Sequence, residues 1–185
     1  MLEIAHDTSI YPIKSVTIVE IMGRDAGWLT ASSALARNDY NTAPDLIYLP
    51  EAAFDTTQFI EDVKTLLIKQ NNIVIAVSEG IRTLEGRYVR ELGNSIDFVD
   101  AFGHKQLSGT ASYLASFIAG ELGAKTRSIE LSTLQRAGSH LASRVDILEA
   151  YQVGGAAVKA ADEGDSGMMV VLQRTSDDPY QCQTA

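Results

Sequence analysis

One cysteine, Cys182, is all this chain contains. It can form no intrachain disulfide and supplies no metal cluster, so a reducing, cytoplasmic setting is expected. Basic residues are also scarce: 15 Lys and Arg stand against 24 Asp and Glu, for a net charge of −9. Such a chain lacks the broad positive field that gathers nucleic acid or anionic membrane, and neither is expected as a partner. Any anion it binds must be held by local arginines. No apolar run approaches the roughly twenty residues of a membrane span. The opening Met1-Leu2-Glu3-Ile4-Ala5-His6-Asp7 has neither the basic nor the apolar region of a signal peptide. His6, His104 and His140 match no zinc spacing, and each reads as a satisfied or exposed side chain. P-loop, dinucleotide and G-x-S-x-G patterns are missing.

What is present is an alternation. The chain has 185 residues, 45% of them hydrophobic, enough for one core. Apolar, β-branched runs at Val16–Ile21, Asp45–Leu49, Ile73–Val77, Ser128–Leu134 and Met168–Leu172 read as strands. Between them, Ala26–Arg37, Thr56–Lys69 (capped by Asp55), Leu107–Leu122 (stopped by Gly123) and Ile147–Glu163 read as helices. Asp146 and Glu149 read as a capping pair for the last of these, and Gly154-Gly155 weakens its middle. Ile81–Lys105 reads as an irregular connection or a partly helical excursion, and Thr175–Ala185 as a loose polar tail. The expected fold is α/β, Rossmann-like, with a mainly parallel sheet flanked by helices.

The segment Glu20-Ile21-Met22-Gly23-Arg24-Asp25-Ala26-Gly27-Trp28-Leu29 follows a strand and turns at a glycine. Ligands of open α/β sheets bind at such strand ends. Arg24 offers a forked donor set suited to phosphate oxygens; its bland reading is an ion pair beside Asp25. Glu79 follows another strand, where a carboxylate can accept from sugar hydroxyls; otherwise it is a loop glutamate. Arg136 lies past the carboxyl end of Ser128–Leu134 and Arg127 at its amino end, on opposite edges of the sheet. Trp28 reads as core.

These residues carry a resemblance. Glu20-Ile21-Met22-Gly23-Arg24-Asp25-Ala26-Gly27 resembles the E-x-M-G-R-x-x-G signature of the phosphofructokinases, and Leu134-Gln135-Arg136 with Gly138 resembles their Q-R-x-G element. Val77-Ser78-Glu79-Gly80 is similar to the sugar-contacting strand end between them. Arg127 stands six residues before Thr133, the spacing of the family's inter-subunit arginine. The resemblance implies phosphoryl transfer from pyrophosphate or ATP to the 1-hydroxyl of fructose 6-phosphate in glycolysis, with Mg2+, in a homo-oligomer. It implies that Met22 and Gly23 contact the sugar, Glu79 holds a hydroxyl, and Arg24 stabilises the transferring phosphoryl group. Arg136 would grip the 6-phosphate, with Thr133 beside it and Arg127 reaching in from a partner subunit. The Gly27-Trp28-Leu29 and Ser132-Thr133-Leu134 variants are closer to pyrophosphate-dependent members.

Thr133 replaces a histidine or tyrosine of many members, and Ala137 a glycine. The donor-phosphate loop (G-G-D-x-S) and the T-x-D-x-D motif with the catalytic aspartate do not occur. The chain is therefore expected to be the C-terminal piece of a longer enzyme. Residues 1–138 would form the fructose 6-phosphate lobe, 139–173 would supply a helix and strand of the donor lobe, which is also the expected source of the metal, and 174–185 would be a polar tail. The isolated piece is expected to be inactive. Two other readings stay open: a non-catalytic α/β module binding a phosphorylated metabolite, and an interaction domain whose arginines form only surface ion pairs.

Overall fold

The computed structural model describes residues 1–93 and 109–185. The elements, in chain order, are α1 (Leu2–Ser9), β1 (Ser15–Ile21), α2 (Trp28–Ser32), β2 (Leu46–Tyr48), α3 (Thr56–Lys69) and β3 (Asn72–Ser78). They continue with α4 (Thr110–Leu122), β4 (Lys125–Glu130), α5 (Ser132–Ala137), α6 (Arg144–Asp162), β5 (Leu172–Asp177) and β6 (Tyr180–Thr184). The chain divides into two compact units, Met1–Arg136 and Ala137–Ala185.

In the first unit the strands form a parallel sheet in the order β2-β3-β1-β4. Side chains alternate across it, as pleating requires. Val16, Ile18, Ile73, Ile75 and Val77 face α3 and α4, meeting Phe59, Val63, Leu67, Leu114 and Ile118. Val19, Ile21, Val74 and Ala76 face the other way, where Ala5 of α1 covers them. β1 is buried along its whole length because it has a strand on each side and a helix on each face. That explains its near-continuous apolar sequence.

Helix α3 starts where Asp55 accepts from the amides of Thr57 and Gln58, at 2.7 and 3.0 Å. Asp55→Ala should cost about 1 kcal/mol, read as a lowered urea midpoint with an unchanged slope. Helix α4 ends at Gly123, whose φ of +61° is the left-handed conformation that stops helices. Residues 107–108 of the expected helix, His104, and the later part of Ile81–Lys105 lie outside the described residues.

In the first unit two elements and one expected core residue differ from the sequence expectation. The expected strand Ser128–Leu134 is β4, Lys125–Glu130; Ser132, at φ +43°, ends the extended run and opens α5. Thr133 and Arg136 therefore ride on a short helix. Ala26–Arg37 splits into the five residues of α2 and a 3-10 turn, Ser33–Ala36. Trp28, expected in the core, is 82% exposed on the first turn of α2.

In the second unit α6 runs unbroken through Gly154-Gly155. Its cap is Ser143, which accepts from the Asp146 amide at 3.2 Å, so Asp146 is the third helical residue and not the cap. The expected strand Met168–Leu172 and loose tail are instead the antiparallel pair β5 and β6. Asp177-Asp178-Pro179 supplies the turn, and the Tyr180 hydroxyl donates to Glu149 Oε1 at 2.6 Å. Among the described residues no helix is long and apolar enough to cross a membrane.

Candidate active site at the carboxyl edge of the sheet

Register aligns the strand ends. Ile21 lies opposite Ser78, and Glu20 opposite Glu130. The segments leaving β1, β3 and β4 therefore emerge side by side, and hydrogen bonds tie them together. The Glu79 amide donates to the Ile21 carbonyl at 3.0 Å, and the Leu131 amide to that of Glu20 at 3.3 Å. The Gly23 amide donates to Glu79 Oε1 at 3.1 Å. The Met22 amide donates to Gln135 Oε1 at 3.0 Å, which seats α5 against the β1 turn.

Two glycines let the backbones meet. Gly23 has φ +152°, and a Cβ there would lie 2.6 Å from the Ala26 carbonyl oxygen. Gly80 packs flat against Arg24: a Cβ on it would overlap the Arg24 carbonyl group and lie 2.7 Å from its Cα. Ser78 Oγ donates to the Gly23 carbonyl and adds a further link.

Met22, Gly23, Arg24 and Glu79 thus fall in one cluster, with Thr133 and Arg136 exposed on α5 beside it. Asp25 is paired with Arg82 at 2.8 Å, and the Arg82 guanidinium also donates to the Tyr88 hydroxyl at 2.6 Å. Arg127 is elsewhere. It is the third residue of β4, opposite Thr17, with its guanidinium 3.9 Å from Asp7 and over the Tyr11 ring at 4.5 Å.

Glu20 was not singled out for chemistry by the sequence reading. It occupies the last inward position of the Val16, Ile18, Glu20 face and is only 4% exposed. Its Oε2 accepts from the Ala111 amide in the first turn of α4 at 2.8 Å. Burial raises its pKa to about 7; the Glu130 and Glu79 charges push the same way, and the Ala111 and Gly109 amides oppose. A carboxyl with a raised folded pKa stabilises the fold most below its ordinary pKa of 4.5, and that stability is lost as pH rises toward 7. Urea midpoints at about pH 5 and about pH 8 should therefore differ less in Glu20→Gln than in the parent chain.

The model of the family described as Phosphofructokinase matches residues 2–161. The chain belongs to the phosphofructokinase family. Among curated proteins, the pyrophosphate–fructose 6-phosphate 1-phosphotransferase of Xanthomonas campestris pv. campestris is 42% identical over 166 residues, 90% of this chain and 39% of that protein. The ATP-dependent 6-phosphofructokinase 2 of Streptomyces coelicolor is 32% identical over 165 residues, 86% of this chain and 44% of its own length. Among solved structures, the pyrophosphate-dependent phosphofructokinase from Marinobacter aquaeolei superposes with a TM-score of 0.76 at 30% identity, covering all of this chain and 42% of that one. The chain spans about two fifths of the length of the relatives it matches.

Three residues at or beside this cluster, Gln135, Glu20 and Arg82, were not among the candidate site residues the sequence suggests. Gln135 was visible within the Q-R motif, but not its long-range bond to Met22. Glu20 stood within the E-x-M-G-R motif, and only the strand face reveals its burial. Arg82 had no motif at all. Among the described residues no group of three or more His, Cys, Asp or Glu side chains is arranged to hold a metal ion. These residues do not fit a magnesium site.

Proposed function

We propose that residues 1–138 form the acceptor-binding lobe of a cytoplasmic, glycolytic phosphofructokinase that moves a phosphoryl group from pyrophosphate to fructose 6-phosphate. ATP is the alternative donor. The observation that carries the reading is the pair of hydrogen bonds from Gly23 to Glu79 and from Met22 to Gln135. They hold three catalytic-edge segments as one preformed surface. Preorganisation of that kind is what binding a small polar ligand requires.

On this surface Met22 and Gly23 lie along the sugar, and Glu79 accepts from one of its hydroxyls. Arg136 holds the 6-phosphate by charge-assisted hydrogen bonds, with Thr133 beside it on α5. Arg24 neutralises charge that builds on the transferring phosphoryl oxygens. Arg127 lies away from this cluster and serves the phosphate of a partner subunit, in a homo-oligomer whose paired surfaces bring one sheet edge to its neighbour's site. The helix α6 and the hairpin of β5 and β6 that follows it belong with a donor-binding lobe. Donor loop and catalytic aspartate are not among these 185 residues, so the chain alone orients the acceptor but has no base to take its proton.

Calorimetric titration with fructose 6-phosphate tests the reading. Saturable binding is expected, with no fructose 1,6-bisphosphate formed when pyrophosphate or ATP is added. Heat no greater than that of dilution would refute acceptor binding. The missing donor motifs favour one rival, a non-catalytic module for a phosphorylated metabolite. Supplying a donor lobe separates the two, because only an enzyme lobe gains turnover.

A further inference from the structure

Among the described residues Glu20 is the one buried carboxylate. It stands where the pattern of its strand face, Val16 then Ile18, calls for a hydrocarbon. A buried carboxylate costs free energy that a valine there would not, so its retention calls for a use beyond packing. Its surroundings supply one. Ala111, whose amide Glu20 accepts, is preceded by Thr110, whose hydroxyl donates to the Glu79 carbonyl at 3.1 Å. Glu79 in turn accepts from Gly23, three residues past Glu20. The links close a ring: tip of β1, first turn of α4, loop after β3, and back to the β1 turn.

We propose that Glu20 is a positioning residue, whose carboxylate fastens α4 to the tip of β1 and so sets the Met22-Gly23 backbone and Glu79 for the sugar phosphate. The inference rests on the acceptor-binding reading above and adds a residue to it. Glu20 touches no substrate; it acts through Ala111, Thr110 and Glu79. Among the described residues the charges acting on it are Glu79 from the loop after β3 and Glu130 from β4, whereas the first turn of α4, Thr110–Tyr113, brings none. Because the carboxyl gains and loses its proton near neutrality, the ring tightens and slackens with pH. The ionised form accepts more strongly from the Ala111 amide.

The test needs no ligand at first. In the 185-residue chain, the amide resonances of Ala111 and Gly23 are followed from about pH 5.5 to about pH 8.5. Both should move with one shared midpoint, and Glu20→Gln should abolish that movement in both while the rest of the spectrum stays put. Movement at Ala111 alone would overturn the proposal, leaving Glu20 as an anchor for α4 only. A Gly23 midpoint that survives in Glu20→Gln would also overturn it, by assigning the titration to a group other than Glu20.

Calorimetry with fructose 6-phosphate at about pH 8 is the second arm. Glu20→Ala, which removes the acceptor, should weaken binding at least about tenfold, and Glu20→Gln, which keeps an acceptor oxygen, by less than about threefold. Equal affinities in all three proteins would overturn the proposal even if the amides titrate together. If the parent chain binds no sugar phosphate, the acceptor reading fails, and the amide titrations still decide whether Glu20 sets Gly23.

Discussion

Gly80→Ala should destabilise the first unit by about 3 kcal/mol, at the upper end for an added methyl in a packed site. The Cβ would overlap the Arg24 carbonyl group and crowd its Cα. Backbone cannot rotate away as the end of a flexible side chain can, so either the loop after β3 or the β1 turn must move. Both carry proposed ligand contacts, Glu79 on one and Met22 to Arg24 on the other. Fructose 6-phosphate affinity should therefore fall together with the urea midpoint. Gly120→Ala is the matched control. That glycine lies inside α4 with open space where a Cβ would go, and the change should stabilise by about 0.5–1 kcal/mol. Similar midpoints for the two variants would refute the close approach of Gly80 to Arg24.

Arg136→Ala should weaken fructose 6-phosphate binding by about 1.5–3 kcal/mol, the range for a charge-assisted hydrogen bond. Arg136 is exposed on α5 and stability should scarcely change, so any loss of affinity reports on the ligand. Inorganic phosphate as competitor should lose affinity in parallel, because the contact is to the phosphoryl oxygens. Arg127→Ala offers a contrast. If Arg127 acts across subunits, its effect should appear only at protein concentrations where the chain self-associates. An unchanged affinity in Arg136→Ala at every concentration would return that arginine to an ordinary surface charge.

The parts of this fold readable from sequence were those whose signals are local. Asp55 and Gly123 mark a helix start and a helix stop through backbone chemistry that acts over a few residues. The runs of β1 and β3 announce burial on both faces through unbroken β-branched sequence. The clustering at the sheet edge was legible where a glycine and an arginine follow a strand, at Gly23 and Arg24. What escaped depends on partners far along the chain. Ser132 ends β4 by a backbone angle that no run of apolar residues reveals. Trp28 is hydrophobic enough to suggest a core position, yet it opens a five-residue helix on the surface. Polarity disguised the hairpin of β5 and β6, because its exposed strands hold each other through the backbone and need no apolar stripe. The meaning of Glu20 hinges on Ala111, 91 residues away.

The central placing of β1, between β3 and β4, has one more implication. A shift of its pairing by a single residue would turn the whole strand over. Val16 and Ile18 would leave the interior at the same instant as Glu20 left the first turn of α4. No other register of β1 keeps a well-filled interior while scrambling the ligand-facing edge, or the reverse. For a slip of this strand, loss of packing and loss of recognition should be a single event.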